Sequence, residues 1–562
     1  MRRLVLLPSA RLVSLEMQVE FGAIPPAMIP LGGRPALSYI AEKYRQSGYE
    51  IALAVGEGAQ RIHDYLADEQ SSQARVLEIG NSNSLGETIT RALLMLEQLP
   101  DSLAINFADT LLEDTLKAGD TVFYARKDDT YRWTTFCLTD EQEIVGISDK
   151  NHEKPEVHNP LVFVGVFLVQ NVQEFLRILQ RTLTAPTTEY IDPFYLALRT
   201  YFNRLPREAR HFVEVAHWWD FGHLDTYYET KRKAFTRERS FNRVSIDESR
   251  GVLRKESDNV SKFHDEIRWY LRLPKALQYL TPRIFDYSLD FDRPFVEMEF
   301  YGYPVASDVY LYGAWDEGVW AQLFQGLRKT SDRMGAYAYS PTECSGLVTA
   351  MREMYETKTL QRLAPVLADP RFASFCRERI NINGERCVGL PAGLAQLPDL
   401  IEATGLYQCD QFTIIHGDLC LSNILYDSRN RIIRLIDPRG GFGDFDIYGD
   451  TRYDLAKLDQ SLEADYDFYV NGLFDLQWVA EDELILHPHL RPNHNVIKRI
   501  YRREMQRAML PSQQQAQLQL IQSLLFLSMV PLHQDRLRSQ EAFLARGLLT
   551  LSGVARGQGL LP

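Results

Sequence analysis

The stretch "IIHGDLCLSNILYDSRNRIIRLIDPRGG", residues 414–441, sets three polar side chains among runs of isoleucine and leucine. Asp418 follows His416 and Gly417, Asn423 comes five residues later, and Asp437 ends the apolar run "IIRLI". Carboxylates are rarely buried without a partner, so these groups bind or pair with something. One chemistry uses all three. Magnesium prefers oxygen ligands, usually one or two carboxylates together with substrate phosphates and water. Asp437 at a strand end and Asn423 through its amide oxygen could hold such ions, which leaves Asp418 to accept the proton of an attacking hydroxyl. That is the division of labour in phosphoryl transfer by kinases.

A nucleotide also needs a cation on its phosphates, held in place by an acid. Lys255 in "GVLRKES" ends a predicted strand, and Glu266 lies eleven residues later in a predicted helix. Both precede the 414–441 stretch, in the order a kinase requires. The segment "EMEFYGYP", residues 297–304, then reads as a hinge at which Glu299, Phe300 and Tyr301 present backbone to adenine. No glycine-rich loop accompanies it; the tight turn in "DESRG", residues 247–251, stands in that place and points away from protein kinases.

The elements that must position these residues fall into two styles. Residues 1–230 alternate β-rich runs ("RLVLLPSA", "EIALAVG", "SLAINFADT", "DTVFYARK", "LVFVGVFLV") with helical patterns ("ALSYIAEKYRQSG", "SLGETITRALLMLEQL"). Such alternation predicts an α/β domain with a largely parallel sheet. The basic stretch "KRKAFTRERSFNR", residues 231–243, reads as a solvated helix end running into a linker. Next come a hairpin ("FNRVSID", "VLRKES"), an amphipathic helix ("VSKFHDEIRWYLRLP") and a strand ("RPFVEMEFY"), and from about residue 310 the pattern is mostly helical. The expected domains are 1–235, 236–305 and 306–562. "HPHLRPNHN", residues 487–495, reads as a loop whose three histidines lack ligand spacing, and no metal is expected there.

The set "HGDLCLSN…LIDPRG…GDTRYDLAKL" resembles the aminoglycoside phosphotransferase and choline kinase group of small-molecule kinases, over about residues 240–560. The resemblance implies an α+β, protein-kinase-like bilobal domain with a mostly helical second lobe, using ATP and magnesium. By that likeness Asp418 is the base, Asn423 and Asp437 hold the metal, and His416 braces the loop. Asp450 and Asp454 cap and anchor the next helix.

Residues 1–230 resemble the sugar-phosphate nucleotidyltransferases through "IPPAMIPLGGRPALSYIAEKYRQSGYEIALAVG", "SLGETI", "INFADTLLED", "HEKP" and "HWWDFGHLDTYYETK". This implies a Rossmann-like α/β fold, Asp109 and Asp220 as ligands of one magnesium ion, and Lys154 as a lysine for the substrate phosphate. An ion at that place would neutralise a triphosphate under attack. The family's glycine-rich GxGxR loop, whose amides cradle the triphosphate, is replaced by "LLPSARLVSLEM", with no glycine until Gly22. Pro26 stands where that family has a lysine, and Arg11 is the positive charge in the altered loop. The chain as a whole resembles bacterial proteins associated with capsule or lipopolysaccharide biosynthesis.

Composition narrows the function classes. A chain of 562 residues predicts two to four domains. A formal net charge of −13 argues against a main surface for nucleic acid or anionic lipid. Cys137, Cys344, Cys376, Cys387, Cys409 and Cys420 form no CxxC pair and read as reduced thiols of a cytoplasmic protein. The start "MRRLVLLPSARLVSL" looks like a signal peptide until Pro8, Ser9 and Arg11 interrupt it, so a strand and a loop are expected. "LIQSLLFLSMVPL", residues 520–532, is too short for a membrane span and suits a buried helix. The expected function is ATP-dependent phosphorylation of a hydroxyl on a sugar, polyol or amino alcohol for surface polysaccharide synthesis, with a first domain that binds a nucleotide or nucleotide sugar. Two rivals stand beside it: a bifunctional kinase and nucleotidyltransferase, and a scaffold with no catalytic site.

Overall fold

The computed structural model describes residues 2–68, 74–117, 119–128, 130–149, 160–185, 191–234, 242–247 and 249–561. Lys154 and Glu248 lie outside them. The chain forms two compact units, Met1–Phe235 with Tyr312–Ala314, and Thr236–Leu311 with Trp315–Pro562.

The first unit is built on a nine-stranded sheet. Strand Arg3–Ser9 lies parallel to Ser102–Asn106 on one side and to Glu50–Val55 on the other, and Ala74–Glu78 adds a further parallel strand. The other half departs from the largely parallel sheet that the alternation predicts. Leu161–Val169 runs antiparallel to Ser102–Asn106, Asp120–Ala125 and Thr135–Leu138, and Thr135–Leu138 pairs antiparallel with Ile144–Ser148. Parallel pairing needs a crossover, usually a helix; between Asp120 and Val169 the described residues contain none, so strands turn directly back. Leu161–Val169 is buried at every position, as its unbroken apolar run requires in the middle of a covered sheet. Its Phe163 and Phe167 pack with Phe175 and Phe194 from helices Val172–Thr184 and Pro193–Arg204. Helix Leu15–Phe21 occupies part of the expected loop after the first strand, with the Ser14 hydroxyl accepting from the Met17 N–H at its start.

The second unit opens with an antiparallel sheet in the order Asn242–Asp247, Val252–Ser257, Phe295–Glu299, Ile284–Ser288. Helix Val260–Arg272 buries Phe263, Ile267, Trp269 and Tyr270. Most of the remaining chain is helical, with Ser512–Met529 and Leu537–Gly557 packed together around Phe526, Leu527, Phe543 and Leu544. No described helix is long and apolar enough to cross a membrane, and none of the six cysteines is in a disulfide.

A second sheet, Glu385–Val388, Arg379–Ile382, Glu483–Pro488 and Phe474–Ala480, interrupts the region expected to be helical. Asn383 and Gly384, both at positive φ (53° and 79°), close its first hairpin; this is the turn that an Asn-Gly pair favours. The expected loop 487–495 is likewise divided between strand Glu483–Pro488 and helix Pro492–Glu504. His494 is fully buried there: its Nδ1 accepts from the Arg491 N–H at 2.8 Å and its Nε2 lies 2.8 Å from the Tyr310 carbonyl oxygen.

Gly440 has the same φ of 79° as Gly384, but a Cβ added to it would lie 2.2 Å from the Asp265 carbonyl carbon, whereas Gly384 has nothing within 4 Å. Gly384→Ala should therefore lose only the left-handed backbone preference, about 1–2 kcal/mol. Gly440→Ala should lose that and at least about 1–3 kcal/mol more from overpacking. Urea unfolding of both variants measures the difference; equal losses would mean that the close approach at Gly440 carries no energetic weight.

Candidate active site

Strand Val252–Ser257 buries Lys255 on its inner face, and helix Val260–Arg272 presents Glu266 to it. The Lys255 Nζ lies 2.7 and 2.9 Å from the two Glu266 carboxylate oxygens and 2.8 Å from Asp437 Oδ1. Burial by itself pushes the ammonium down, but Asp437 and Glu266 outweigh it and hold Lys255 above the usual lysine range.

Asp437 follows strand Ile432–Leu435 and sits at φ 54°, with its N–H donating to the Tyr270 hydroxyl at 3.1 Å. Strand Ile432–Leu435 forms a hairpin with Ile424–Asp427, and the Ile436 N–H donates to the Asn423 carbonyl at 3.1 Å. Asn423 Nδ2 in turn donates to the Asp418 carbonyl at 2.8 Å and to Asp418 Oδ2 at 3.1 Å. The structure therefore brings Lys255, Glu266 and Asp437 together, and joins Asn423 to Asp418. The Asp418 and Asp437 side chains stay 28% and 39% exposed, open to a ligand, while those of Lys255 and Glu266 are 7% and 11% exposed.

His416 ties the two segments together. Its Nδ1 accepts from the Asp418 N–H at 3.3 Å, and its Nε2–H donates to the Ile436 carbonyl at 3.0 Å. Burial pulls its pKa down to about 4, so the ring is neutral and carries one donor and one acceptor, as these bonds require. Asp450 caps helix Thr451–Leu462 by accepting from the Arg452 N–H at 3.0 Å. Asp454 does not share that task. Its two oxygens each accept at 2.7 Å from the His416 and Gly417 N–H groups, fastening the backbone just before Asp418.

One residue escaped the sequence reading. Lys457, one turn after Asp454 on the same helix, places its Nζ 2.9 Å from Asp418 Oδ1. Burial is the largest influence and opposes its charge, but Asp418, Tyr453 and Cys420 together outweigh it and hold Lys457 above the usual lysine range. In the polar-rich run "TRYDLAKLDQSL" a lysine reads as a solvated side chain, and only the fold shows that this helix is buried at nearly every position.

At the expected hinge, the Phe300 N–H donates to the Gly251 carbonyl and the Glu299 N–H to the Arg283 carbonyl, both at 2.9 Å. The Tyr301 hydroxyl donates to Glu299 Oε2 at 2.7 Å, and its ring stacks on Tyr303 with centroids 5.2 Å apart.

In the first unit, strands Thr110–Leu112 and Trp218–Asp220 pair with Thr110 opposite Asp220, which puts Asp109 beside that end. A Cβ at Gly222 would lie 2.4 Å from Asp109 Oδ2, so a side chain there would push the Asp109 carboxylate out of its place. Asp220 is buried; Oδ1 accepts from the Gly222 N–H at 3.0 Å, and Oδ2 accepts from Trp133 Nε1 at 2.9 Å and lies 3.3 Å from His223 Nδ1. A cavity of about 390 Å³ opens beside it, lined among others by Lys127, Trp133, Trp218 and Lys233. Arg11 is exposed and donates to the Ser82 carbonyl, and the Ser9 hydroxyl accepts from the Ala27 N–H.

Among the described residues no group of three His, Cys, Asp or Glu is placed to hold a metal. The oxygen donors at Asn423 and Asp437 fit a magnesium ion whose remaining ligands are phosphate oxygens and water. Asp220, with both oxygens already accepting, fits one less well.

No protein-family model and no curated protein matches the chain. Among solved structures, its N-terminal part is similar to HddC from Yersinia pseudotuberculosis complexed with GMP-PN (18% identity, 42% of this chain and 99% of that one, TM-score 0.31). It is also similar to the CTP:phosphocholine cytidylyltransferase LicC from Streptococcus pneumoniae (14% identity, 41% and 98%, TM-score 0.32). The inositol-1-phosphate CTP transferase from T. maritima matches at 14% identity over 42% and 98%, with a TM-score of 0.31.

The Asp454 carboxyl is raised to about 7 by burial, which the two N–H bonds only partly offset. The folded protein thus holds this proton across a window, from about pH 4 to about 7, in which the unfolded chain has released it. That contribution to stability is full below the unfolded value and lost as pH rises through the folded one. Asp454→Asn has no such proton, so its stability relative to wild type should climb between pH 4 and 7. Urea midpoints at several pH values test this, and a difference that is flat in pH would refute it.

Proposed function

We propose that the Thr236–Leu311 and Trp315–Pro562 unit is a small-molecule kinase that uses ATP and magnesium to phosphorylate a hydroxyl of a sugar, polyol or amino alcohol. The observation that carries this reading is the Lys255 ammonium shared by Glu266 and Asp437, in the unit that also holds Asp418 beside Asn423. Lys255 takes the nucleotide phosphates. Asn423 and Asp437 are the residues that would hold magnesium, which when bound supplies positive charge to the phosphates under transfer. Asp418 accepts the proton of the acceptor hydroxyl as its oxygen bonds to the γ-phosphorus. The bond from that phosphorus to the β–γ bridging oxygen breaks, and ADP leaves with the electron pair. Lys457 fixes the orientation of the Asp418 carboxylate through their ion pair. With the Glu299 and Phe300 amides engaged inside the sheet, the adenine edge belongs at Tyr301–Tyr303. The setting is cytoplasmic synthesis of a surface polysaccharide precursor.

The first unit we read as a nucleotide- or nucleotide-sugar-binding domain of the nucleotidyltransferase type, with Asp109 and Asp220 toward a metal and Lys154 toward a phosphate. The adjacency of Asp109 and Asp220 keeps the bifunctional reading as the alternative. The N–H donors already on both Asp220 oxygens and the missing glycines after the first strand favour binding over transfer.

Asp418→Asn should lower turnover about 10²–10⁴-fold with the KM for ATP little changed, and Asp437→Ala should abolish nucleotide binding. ADP release over a panel of sugars, polyols and amino alcohols reads the first, and calorimetry with ATP the second; full activity in Asp437→Ala would exclude the site.

For the first unit, magnesium-dependent binding of a nucleoside triphosphate should vanish in Asp109→Ala. Rapid pyrophosphate release that depends on Asp109 would replace the binding reading with the bifunctional one.

A further inference from the structure

Around Asp418 the second unit gathers several cations. Lys457 holds Asp418, and one turn earlier on its helix the Tyr453 hydroxyl accepts from Arg439 Nη1 at 3.2 Å. Tyr453 stacks on Tyr355, with ring centroids 6.1 Å apart. Tyr355 belongs to a π-helical turn, Glu353–Thr357, which leads directly into helix Lys358–Ala368. Lys358 and Arg362 are one turn apart on that helix.

Among the described residues, Lys358, Arg362 and Arg439 make no ion pair with a carboxylate. Arg362 donates to the Ser528 carbonyl and Arg439 to the Gly441 carbonyl, each at 3.0 Å, and Asp265 acts on Arg439 only from a longer range. Burial, followed by the fields of Arg439, Arg362, Lys457 and Lys262, pushes the Lys358 ammonium well below its usual value. Burial and Arg439 act on Arg362 in the same direction. Lys358, Arg362 and Arg439 are each half-buried, and like charges four apart on a helix repel. The fold loses stability by this arrangement. π-Helical turns, moreover, occur frequently at functional sites.

We propose that Lys358, Arg362 and Arg439, beside Lys457, bind an anionic group of the acceptor, and that the acceptor is a phosphomonoester of a hydroxyl compound, such as a sugar or polyol phosphate. A phosphomonoester carries a charge of about −1.5 to −2 and three acceptor oxygens, which suits three unanswered cations better than a carboxylate does. The nucleotide's phosphates have Lys255, while this cluster adjoins the base, where the acceptor must lie. The acceptor assignment rests on the kinase reading; the anion site itself does not.

The test titrates inorganic phosphate into the full chain at fixed ionic strength, with calorimetry and thermal unfolding as readouts. Saturable binding is expected, weakened about 10- to 100-fold in Lys358→Met and in Arg362→Met. Without phosphate both variants should unfold at a higher temperature than wild type, because a repelling charge is gone. Absent binding, or binding that ignores both substitutions, overturns the proposal, as does a lowered Tm with unchanged phosphate affinity. Lys358-dependent binding by a chain that does not bind magnesium-ATP would keep the anion site and remove the kinase reading. The acceptor arm compares matched pairs (glycerol with glycerol 3-phosphate, ribitol with ribitol 5-phosphate, glucose with glucose 6-phosphate) by ADP release. The phosphorylated member should be preferred, with an acceptor KM that rises in both variants and an unchanged KM for ATP. A rise in the KM for ATP alone would assign the cations to the nucleotide and overturn the acceptor assignment.

Discussion

The buried ammonium of Lys255 is the constraint on which the candidate kinase site depends. Taking an ammonium out of water costs several kcal/mol even after the protein relaxes, and here the opposing charge comes from two different places in the chain. Glu266 arrives on a helix eleven residues later, and Asp437 from a loop 182 residues away in sequence. Charge neutrality therefore fixes the loop against the helix. The backbone permits it only because Gly440, where the loop crosses that helix, has no Cβ. The Asp437 N–H on the Tyr270 hydroxyl adds a bond from the same helix. Removing either carboxylate leaves a buried, partly compensated charge, which is more damaging than the pair is stabilising.

A second level of order hangs on helix Thr451–Leu462. Asp454 holds two backbone N–H groups immediately before Asp418, and Lys457 holds the Asp418 carboxylate, so one helix fixes both the main chain and the side chain of the proposed base. His416 closes the set by reaching the Ile436 carbonyl, next to Asp437. A base on a loop is thus positioned by a rigid element, and each buried charge on that helix has a named partner: Arg452 with Asp450, Lys457 with Asp418, Asp459 with Arg507.

The pairing of Lys255 with Glu266 was legible because both sit on strongly patterned elements a short distance apart, and the order of Asp418, Asn423 and Asp437 around a short hairpin is a local feature. What was not legible depends on long-range packing. Lys457 and Asp454 look like ordinary helical charges until a loop 37–39 residues earlier is laid against them. The antiparallel half of the first sheet follows from missing crossover helices, whereas the pattern of the first hundred residues suggested the opposite. The hairpin at Asn383–Gly384 carried a readable turn signal, but its strands have only four residues each, too few for a period of two to stand out. The resemblance of its segment implies a ligand role for Asp220, and no sequence pattern shows that Trp133 and Gly222 donate to its oxygens.

The two acidic sites differ in how far the protein has satisfied them, and that difference has a direction. Asp220 is buried and already has an N–H donor on each oxygen. Asp418 and Asp437 face cations on one side and remain partly exposed on the other. Lys358, Arg362 and Arg439 are the mirror case, positive groups that make no ion pair with a carboxylate among the described residues. The whole chain carries a formal charge of −13, so an anionic substrate is repelled at long range. At physiological ionic strength that repulsion fades beyond about 8 Å, and the local group of half-buried cations then dominates what an approaching phosphate feels. Selection of an anionic acceptor would therefore reside in the few ångströms around Tyr453 and not in the overall field. That explains why a protein with an acidic surface can keep, beside its proposed base, the one kind of cluster its own stability disfavours.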